Sequence, residues 1–583
     1  MPIRTTLRKL LRPGLFAVLT ALAGCAAVAP DPAEPDAAAA PVETGVPTGE
    51  SHPTRDFDAG TLYELLVAEF AGIRNQVDAA LEIYMRQAYE TRDPAVIDRA
   101  IRIASYLNRD EKILELSELW VEVEPDNLDA RRLVSFHLAR AGRVVEAFPH
   151  SEYLLLAGDD EYLQSLAAFA EPVPRREKER LLALYRELER KHPDNTGLLL
   201  GEAMLLRQLN APDKSLAAAR RVIELEPANE TAQLLHAQLL HESGQADAAL
   251  KSLRKSLREL PGSKRLRLQY ARLLADEDLA ASREQIRELV SLYPDDPELK
   301  LSLALISKEM GNDDEAATLL NELIRENRRA SAANFHLGRL AEENGRFEDA
   351  LHHYTRVRRG QYVLTAADRA ARMLKRNAGL PAARVYLNQL RNERPGLATG
   401  LYQIEAELLI GEENLDEARE VLGQALDKDP DNISLLYTRS VVGARQGDLE
   451  KAESDLRAIL AREPDNATAL NALGYTLLNL SDRYREAYEL IRRARQLKPE
   501  DPAITDSLGW VYYRLGDYDK ALKYLREAFE AFPDPEVAAH LGEVLWVTGK
   551  KEEARRVWDK ALEESPGNTI ILETRDRLQS GQD

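Results

Sequence analysis

Across residues 502–535, apolar and small side chains fall into two runs separated by a turn. Leu508, Gly509 and Tyr512 mark the first run and Leu515-Gly516-Asp517 the turn, while Tyr518, Ala521, Leu525 and Ala528 mark the second, which Pro533 stops. Side chains three or four apart share one face of a helix, so the pattern predicts two helices packed against each other. Gly509, Ala521 and Ala528 are small where those helices are expected to approach closely, and added bulk there is expected to cost about 1–3 kcal/mol.

The same unit recurs along the chain. Prolines close helix-like stretches at Pro193, Pro227, Pro261 and Pro294, then at Pro395, Pro430, Pro464, Pro499, Pro533 and Pro566, in steps of about 34 residues. Pro125 stands two steps before Pro193, and three steps separate Pro294 from Pro395. The small residue of the second helix recurs as Ala80, Ala249, Ala316, Ala350, Ala383, Ala418, Ala452, Ala487, Ala521 and Ala554, with Ser215, Ser282 and Leu181 as weaker matches. This period resembles that of tetratricopeptide arrays, and it implies an all-α superhelical solenoid of about fifteen helix pairs. No pair of that length encloses its own apolar face, so each must stack on its neighbours, building a concave surface suited to gripping other proteins.

The register divides the chain into degenerate repeats over 55–195, regular repeats over 196–568, and a helical cap and tail over 569–583. Boundaries near 128–195 and 262–295 are the least defined. One extra residue interrupts the turn at Leu480-Ser481-Asp482-Arg483.

The beginning of the chain follows different rules. Arg4, Arg8, Lys9 and Arg12 precede a short apolar run, Leu15 to Leu22, too short to span a bilayer as a helix. Residues 1–24 therefore read as a secretory signal. Leu22-Ala23-Gly24-Cys25 ends in the one cysteine of the chain and resembles a bacterial lipobox, which makes Cys25 the expected lipidated residue. Ala26 and Ala27 follow it, and in lipoproteins the lack of an aspartate there implies sorting to the outer membrane. Residues 25–54, rich in Ala, Pro, Glu and Asp, read as a tether with a typical span of roughly 30 Å. With no second cysteine, stability is left to helix packing.

Charge narrows the choice of partner. The formal net charge is −20, and removing the four basic residues of the signal makes it more negative still. Strong acidity argues against a nucleic-acid partner. Locally the balance swings: residues 354–394 hold ten Arg or Lys against Asp368 and Glu393, and residues 405–431 hold ten acidic residues against Arg419 and Lys428. Either adjacent repeats neutralise one another, or Arg358, Arg359, Arg372 and Arg376 form a basic docking patch for an acidic segment.

In tetratricopeptide arrays the first helix of each pair builds the concave wall. Its wall positions in the last three repeats carry Asn471, Tyr475 and Asn479, then Asp506, Trp510, Tyr513 and Arg514, then Glu543 and Trp546. Aromatics beside amides and opposite charges suit an interface; the alternative for Trp510 and Trp546 is packing between neighbouring helices, and Trp558 reads as core. The lysine and asparagine pattern that clamps a C-terminal carboxylate in chaperone-binding arrays does not stand at these positions. Catalytic motifs fail on inspection. His241-Glu242 begins like a zinc-protease helix, but Gln245 stands where the second histidine belongs. Adjacent His352 and His353 point to different sides of a helix. With neither a phosphate-cradling glycine loop nor a glycine-flanked serine elbow, no catalytic, cofactor or metal site is expected.

Beyond the repeat itself, Cys25 with its tether, the block Leu62-Tyr63-Glu64-Leu65-Leu66-Val67-Ala68-Glu69, Thr91-Arg92-Asp93-Pro94 with Arg99-Ala100-Ile101-Arg102-Ile103-Ala104, and Leu508-Gly509-Trp510-Val511-Tyr512-Tyr513 resemble the large proteobacterial tetratricopeptide lipoproteins that partner a periplasmic carboxyl-terminal processing protease. The likeness covers nearly the full length, although its repeat motifs are shared by many proteins. It implies a non-catalytic outer-membrane adaptor facing the periplasm, which docks that protease and presents substrates such as cell-wall hydrolases. The alternative is a structural assembly lipoprotein of an envelope secretion or exopolysaccharide complex. A hydrolase site within residues 140–180 is disfavoured, because Glu171-Pro172-Val173-Pro174 and Arg175-Arg176 read as a loop and a helix start.

Overall fold

Helix follows helix throughout the computed structural model, which describes residues 57–159 and 161–581; Cys25, the signal and the tether lie outside the described residues. Among the described residues there are 31 α-helices, one short 3-10 turn and no strand. The chain divides into two compact units, one ending at Leu319 and the other starting at Leu320. In each, helices pair in sequence order and each pair packs on the next, the arrangement expected of helices that are marginal alone.

The proline cadence works together with a cap. Asn127, Asn195, Asn229, Asn432 and Asn466 each stand two residues after a recurring proline, and each side chain accepts a backbone N–H from three residues further on. Proline cannot continue the preceding helix, and asparagine satisfies an orphan donor of the next, stabilising it by about 1 kcal/mol. Where the cadence lapses, between Pro294 and Pro395, the helices are irregular. Phe347–Tyr354 has eight residues, Val363–Ala378 has sixteen, and Gly379, at φ 86°, is the single residue joining the latter to Leu380–Glu393.

Close approach within pairs rests on the small residues. A Cβ at Gly509 would lie 2.7 Å from Leu525 Cγ, and one at Gly474 would lie 2.6 Å from Ile491 Cγ1. The recurrent alanines from Ala80 to Ala554 are all buried. Where serine replaces alanine its hydroxyl is put to use: Ser215 Oγ donates to the Ala203 carbonyl at 2.6 Å, and Ser282 Oγ to the Ala271 carbonyl at 2.7 Å.

The first unit carries one departure from strict pairing. Pro149 lies inside the helix Val144–Leu156, and the nine-residue helix Glu161–Phe169 follows it. That short helix is held by the buried Tyr185, whose hydroxyl donates to the Leu163 carbonyl at 2.5 Å. The same ring presses on Gly201, where a Cβ would come within 2.5 Å of it.

In the second unit the two helices of a pair have different jobs. Pro502–Arg514 buries every residue from Ile504 to Val511, whereas its partner Tyr518–Ala531 buries Ala521, Leu522, Leu525 and Ala528 along one stripe. First helices are enclosed on several sides and also touch the first helices of neighbouring pairs, so together they form an inner wall.

Candidate functional site

Four first helices of the second unit, Ile433–Arg445, Ala467–Leu480, Pro502–Arg514 and Pro535–Val547, contribute to an open cleft of about 900 Å³. Apolar side chains of Tyr437, Val441, Ala444, Ala472, Ile504 and Val537 line it, with the exposed Phe532 and Ile570 at its edge. Asp501 and Asp534 are there because they cap their helices: Asp501 Oδ1 accepts from the N–H groups of Ala503 and Ile504, and Asp534 Oδ1 from that of Glu536. The rest of the polar lining includes Arg445, Thr468, Asn471, Thr476, Asn479, Asp506 and Glu536.

A hydrogen-bonded chain runs beneath this surface. Tyr475 donates to Glu536 Oε1 at 2.6 Å, and its hydroxyl lies 3.3 Å from His540 Nε2. The other ring nitrogen of His540 lies 2.9 Å from Asp506 Oδ2. Burial alone would depress the His540 pKa, but the Asp506 carboxylate, helped by Glu536 and Glu543, outweighs it and pushes the group above its ordinary value. Burial and Glu536 push the Tyr475 phenol upward too, so it keeps its proton and remains a donor. Trp510, 8% exposed, stacks on the His540 ring at 4.1 Å between centroids. Its indole N–H donates to Asn479 Oδ1 at 3.2 Å. An imidazole enclosed by a carboxylate and an aromatic face is a structural clasp that fixes three consecutive first helices relative to one another.

The residues anticipated on the wall do not all meet. Asn471, Tyr475, Asn479 and Asp506 line the cleft, and Trp510 lies beneath it. Tyr513 donates to Glu543 Oε1 at 3.1 Å, and Glu543 also pairs with Arg577, so these two bind the C-terminal helix Thr569–Gln579. Arg514 turns to Tyr484, donating to its hydroxyl at 2.5 Å. Trp546 packs on the fully buried Trp558 at 5.8 Å, with Lys551 and Arg555 over its ring. His540 and Glu536 also belong to the site: Glu536 stands at the second, wall-facing position of its repeat without having been singled out in the sequence, and His540 falls outside the wall positions. Aligning Gly542 with Gly509 places His540 opposite Ser507, one residue past a wall position. A lone histidine in the run Val537-Ala538-Ala539-His540-Leu541 is the signal that marks it.

Much of the basic stretch is matched by carboxylates, several of them in the acidic one. Arg384 Nε lies 2.8 Å and Arg391 Nη1 2.6 Å from the buried Glu405 carboxylate. Arg372 reaches Asp368 at 2.7 Å and Glu407 at 3.5 Å, Lys375 reaches Glu412 at 2.5 Å, and Arg358 reaches Glu393 at 2.6 Å. Arg359 uses its backbone N–H to bond Ser331, and Arg376 lies over the Phe347 ring at 6.0 Å. Neither side chain has an ion-pair partner among the described residues.

Known proteins share this architecture. A tetratricopeptide repeat model matches residues 200–264, 301–363, 405–459 and 507–569, and a second one matches 465–534. The chain is 41% identical over 545 residues to a TPR repeat-containing protein of Pseudomonas aeruginosa, with 86% of each chain covered. Among solved structures, yeast Tom70 aligns with 90% of this chain and 96% of its own at 14% identity and a TM-score of 0.35. Pseudomonas aeruginosa pilF aligns with 32% of this chain and 84% of its own at 25% identity and a TM-score of 0.27. The repeat period, the paired helices and the extended identity to a relative of matching length lead to one conclusion: the chain belongs to the tetratricopeptide repeat family, whose members generally act as non-catalytic scaffolds for protein–protein interaction.

Proposed function

We propose that this protein is an adaptor anchored to the outer membrane through Cys25, holding a carboxyl-terminal processing protease and its substrates, such as cell-wall hydrolases, together in the periplasm. The lipobox-like Leu22-Ala23-Gly24-Cys25 and the blocks at 62–69 and 508–513 support the location and the partner. The observation that carries the binding role is the inner-wall cleft of the second unit, an apolar trough bordered by polar groups. The adaptor itself performs no chemistry. Its contribution is effective concentration: a tether that holds enzyme and substrate on one scaffold makes their encounter close to intramolecular.

The test is affinity capture of the full-length protein from detergent-solubilised envelopes, with a photo-crosslinking side chain at Asn471. A processing protease or a cell-wall hydrolase crosslinked at that position supports the proposal. Capture of neither removes it, and capture of the same proteins only through positions outside the cleft removes the cleft from it.

A further inference from the structure

From the cleft's chemistry, and resting on the reading above, we infer that it binds an extended protein segment carrying lysine or arginine between apolar residues. Three carboxylates on its lining, Asp501, Asp534 and Glu536, have no ion-pair partner among the described residues. Asp501 and Asp534 each cap a helix through Oδ1, and Glu536 accepts from Tyr475 through Oε1, so one oxygen of each has no hydrogen-bond partner there. Arg445, the cation on the same lining, is already paired with Glu413. The cleft is therefore negative on balance, in a unit where most carboxylates of the other acidic stretch, 405–431, are paired with arginine or lysine.

A second observation points to a ligand independently of charge. Thr476 is more than nine-tenths buried and lines the cleft, yet its hydroxyl has no hydrogen-bond partner among the described residues. Five residues away on the same helix, Asn471 Oδ1 is also shielded from solvent and unpaired. A solvent-shielded polar atom such as Asn471 Oδ1 is normally satisfied, and leaving it unpaired costs about 1–3 kcal/mol. A hydroxyl and an amide on one lining can satisfy a peptide N–H and C=O at separate points of a bound segment. Trp510 and His540 are occupied with each other and do not compete for it. Apolar side chains of the segment would meet Val441, Ile504 and Val537, and a cationic one the three carboxylates.

The experiment uses the full-length protein and two fluorescent nonapeptides, one alternating Lys with Leu and one alternating Glu with Leu, read by anisotropy at low and at physiological salt. The comparison protein carries Asp501→Asn, Asp534→Asn and Glu536→Gln. Asparagine is as good a helix cap as aspartate and glutamine keeps an acceptor for Tyr475, so a thermal melt is expected to match wild type. The lysine peptide is expected to bind at least about tenfold more tightly than the glutamate peptide, to weaken with salt, and to lose about tenfold in the triple variant. Equal binding of both peptides, or full binding of the lysine peptide to a folded triple variant, overturns the inference. If envelope partners still crosslink at Asn471 in that variant with undiminished yield, the adaptor reading stands and the cationic one falls.

Discussion

Two regions of the second unit, a charge-dense stretch and the cleft, differ in what their polar groups already touch. Residues 354–431 carry a steep swing of charge, but most of its members pair: Glu405 sits between Arg384 and Arg391, and Arg372, Lys375 and Arg358 each reach a carboxylate. The cleft has fewer charges, yet Asp501, Asp534 and Glu536 face it without an ion pair among the described residues, and Asn471 Oδ1 is shielded there without a partner. The density of charge in a sequence reveals little about where a protein binds. Whether the folded chain has already spent those groups on itself is more telling.

This contrast breaks most visibly at Glu405. Glu405→Ala removes the partner of Arg391, whose side chain is 11% exposed, and an uncompensated buried charge is expected to cost about 3–5 kcal/mol. A urea melt that does not move would end the view that this stretch is structural. Asn471→Ala, in the cleft, removes a shielded oxygen that has no partner and is expected to keep or raise stability, by up to about 1–3 kcal/mol, while weakening peptide binding.

Gly542→Ala comes next. Its Cβ would run into the Trp558 indole, and overpacking there is expected to cost about 1–3 kcal/mol by thermal melt. Gly549→Ala, in open space but at φ 82°, probes backbone strain alone and is expected to cost less.

The His540 clasp adds a pH dependence to the cleft side of the comparison. Because its folded pKa lies above the ordinary 6.5, the stabilisation is complete below that ordinary value and is lost as pH rises through the folded pKa. Urea midpoints of wild type should therefore fall from mildly acid to alkaline pH more than those of His540→Gln. Equal slopes would mean that the imidazolium contributes nothing.

The smallest effects are expected at Arg359 and Arg376. Reversal of either to Glu should change stability by no more than about 0.5 kcal/mol, and Arg358→Glu by about 0.2–1 kcal/mol. Should such reversals abolish capture of the envelope partners, a docking role would have to be assigned to the residues without ion-pair partners as well.

The paired helices are legible in the sequence because second helices are amphipathic. Tyr518–Ala531 buries one stripe, and that stripe is the recurrent alanine pattern. First helices are buried on several sides, so their apolar residues show little periodicity, and which polar side chains face the cleft depends on neighbouring pairs two repeats apart. That is why Asn471, Tyr475, Asn479 and Asp506 can be placed on a wall by position, as the second-position Glu536 also can, while His540 emerges once three helices are assembled. The helix Glu161–Phe169 escapes the register for a related reason: it is held by Tyr185 from the following helix, a contact that no period of 34 residues encodes.

The reach of Tyr475 has a mechanical corollary. Its hydroxyl bridges 61 residues to Glu536 and 65 to His540, skipping the intervening pair, so these three pairs behave as a spliced bracket and not as a chain of independent hinges. Bending or stretching this end of the molecule would have to snap that splice first. Mechanical load should therefore be absorbed elsewhere, leaving the part of the trough between Ala467–Leu480 and Pro535–Val547 at constant width for whatever it grips.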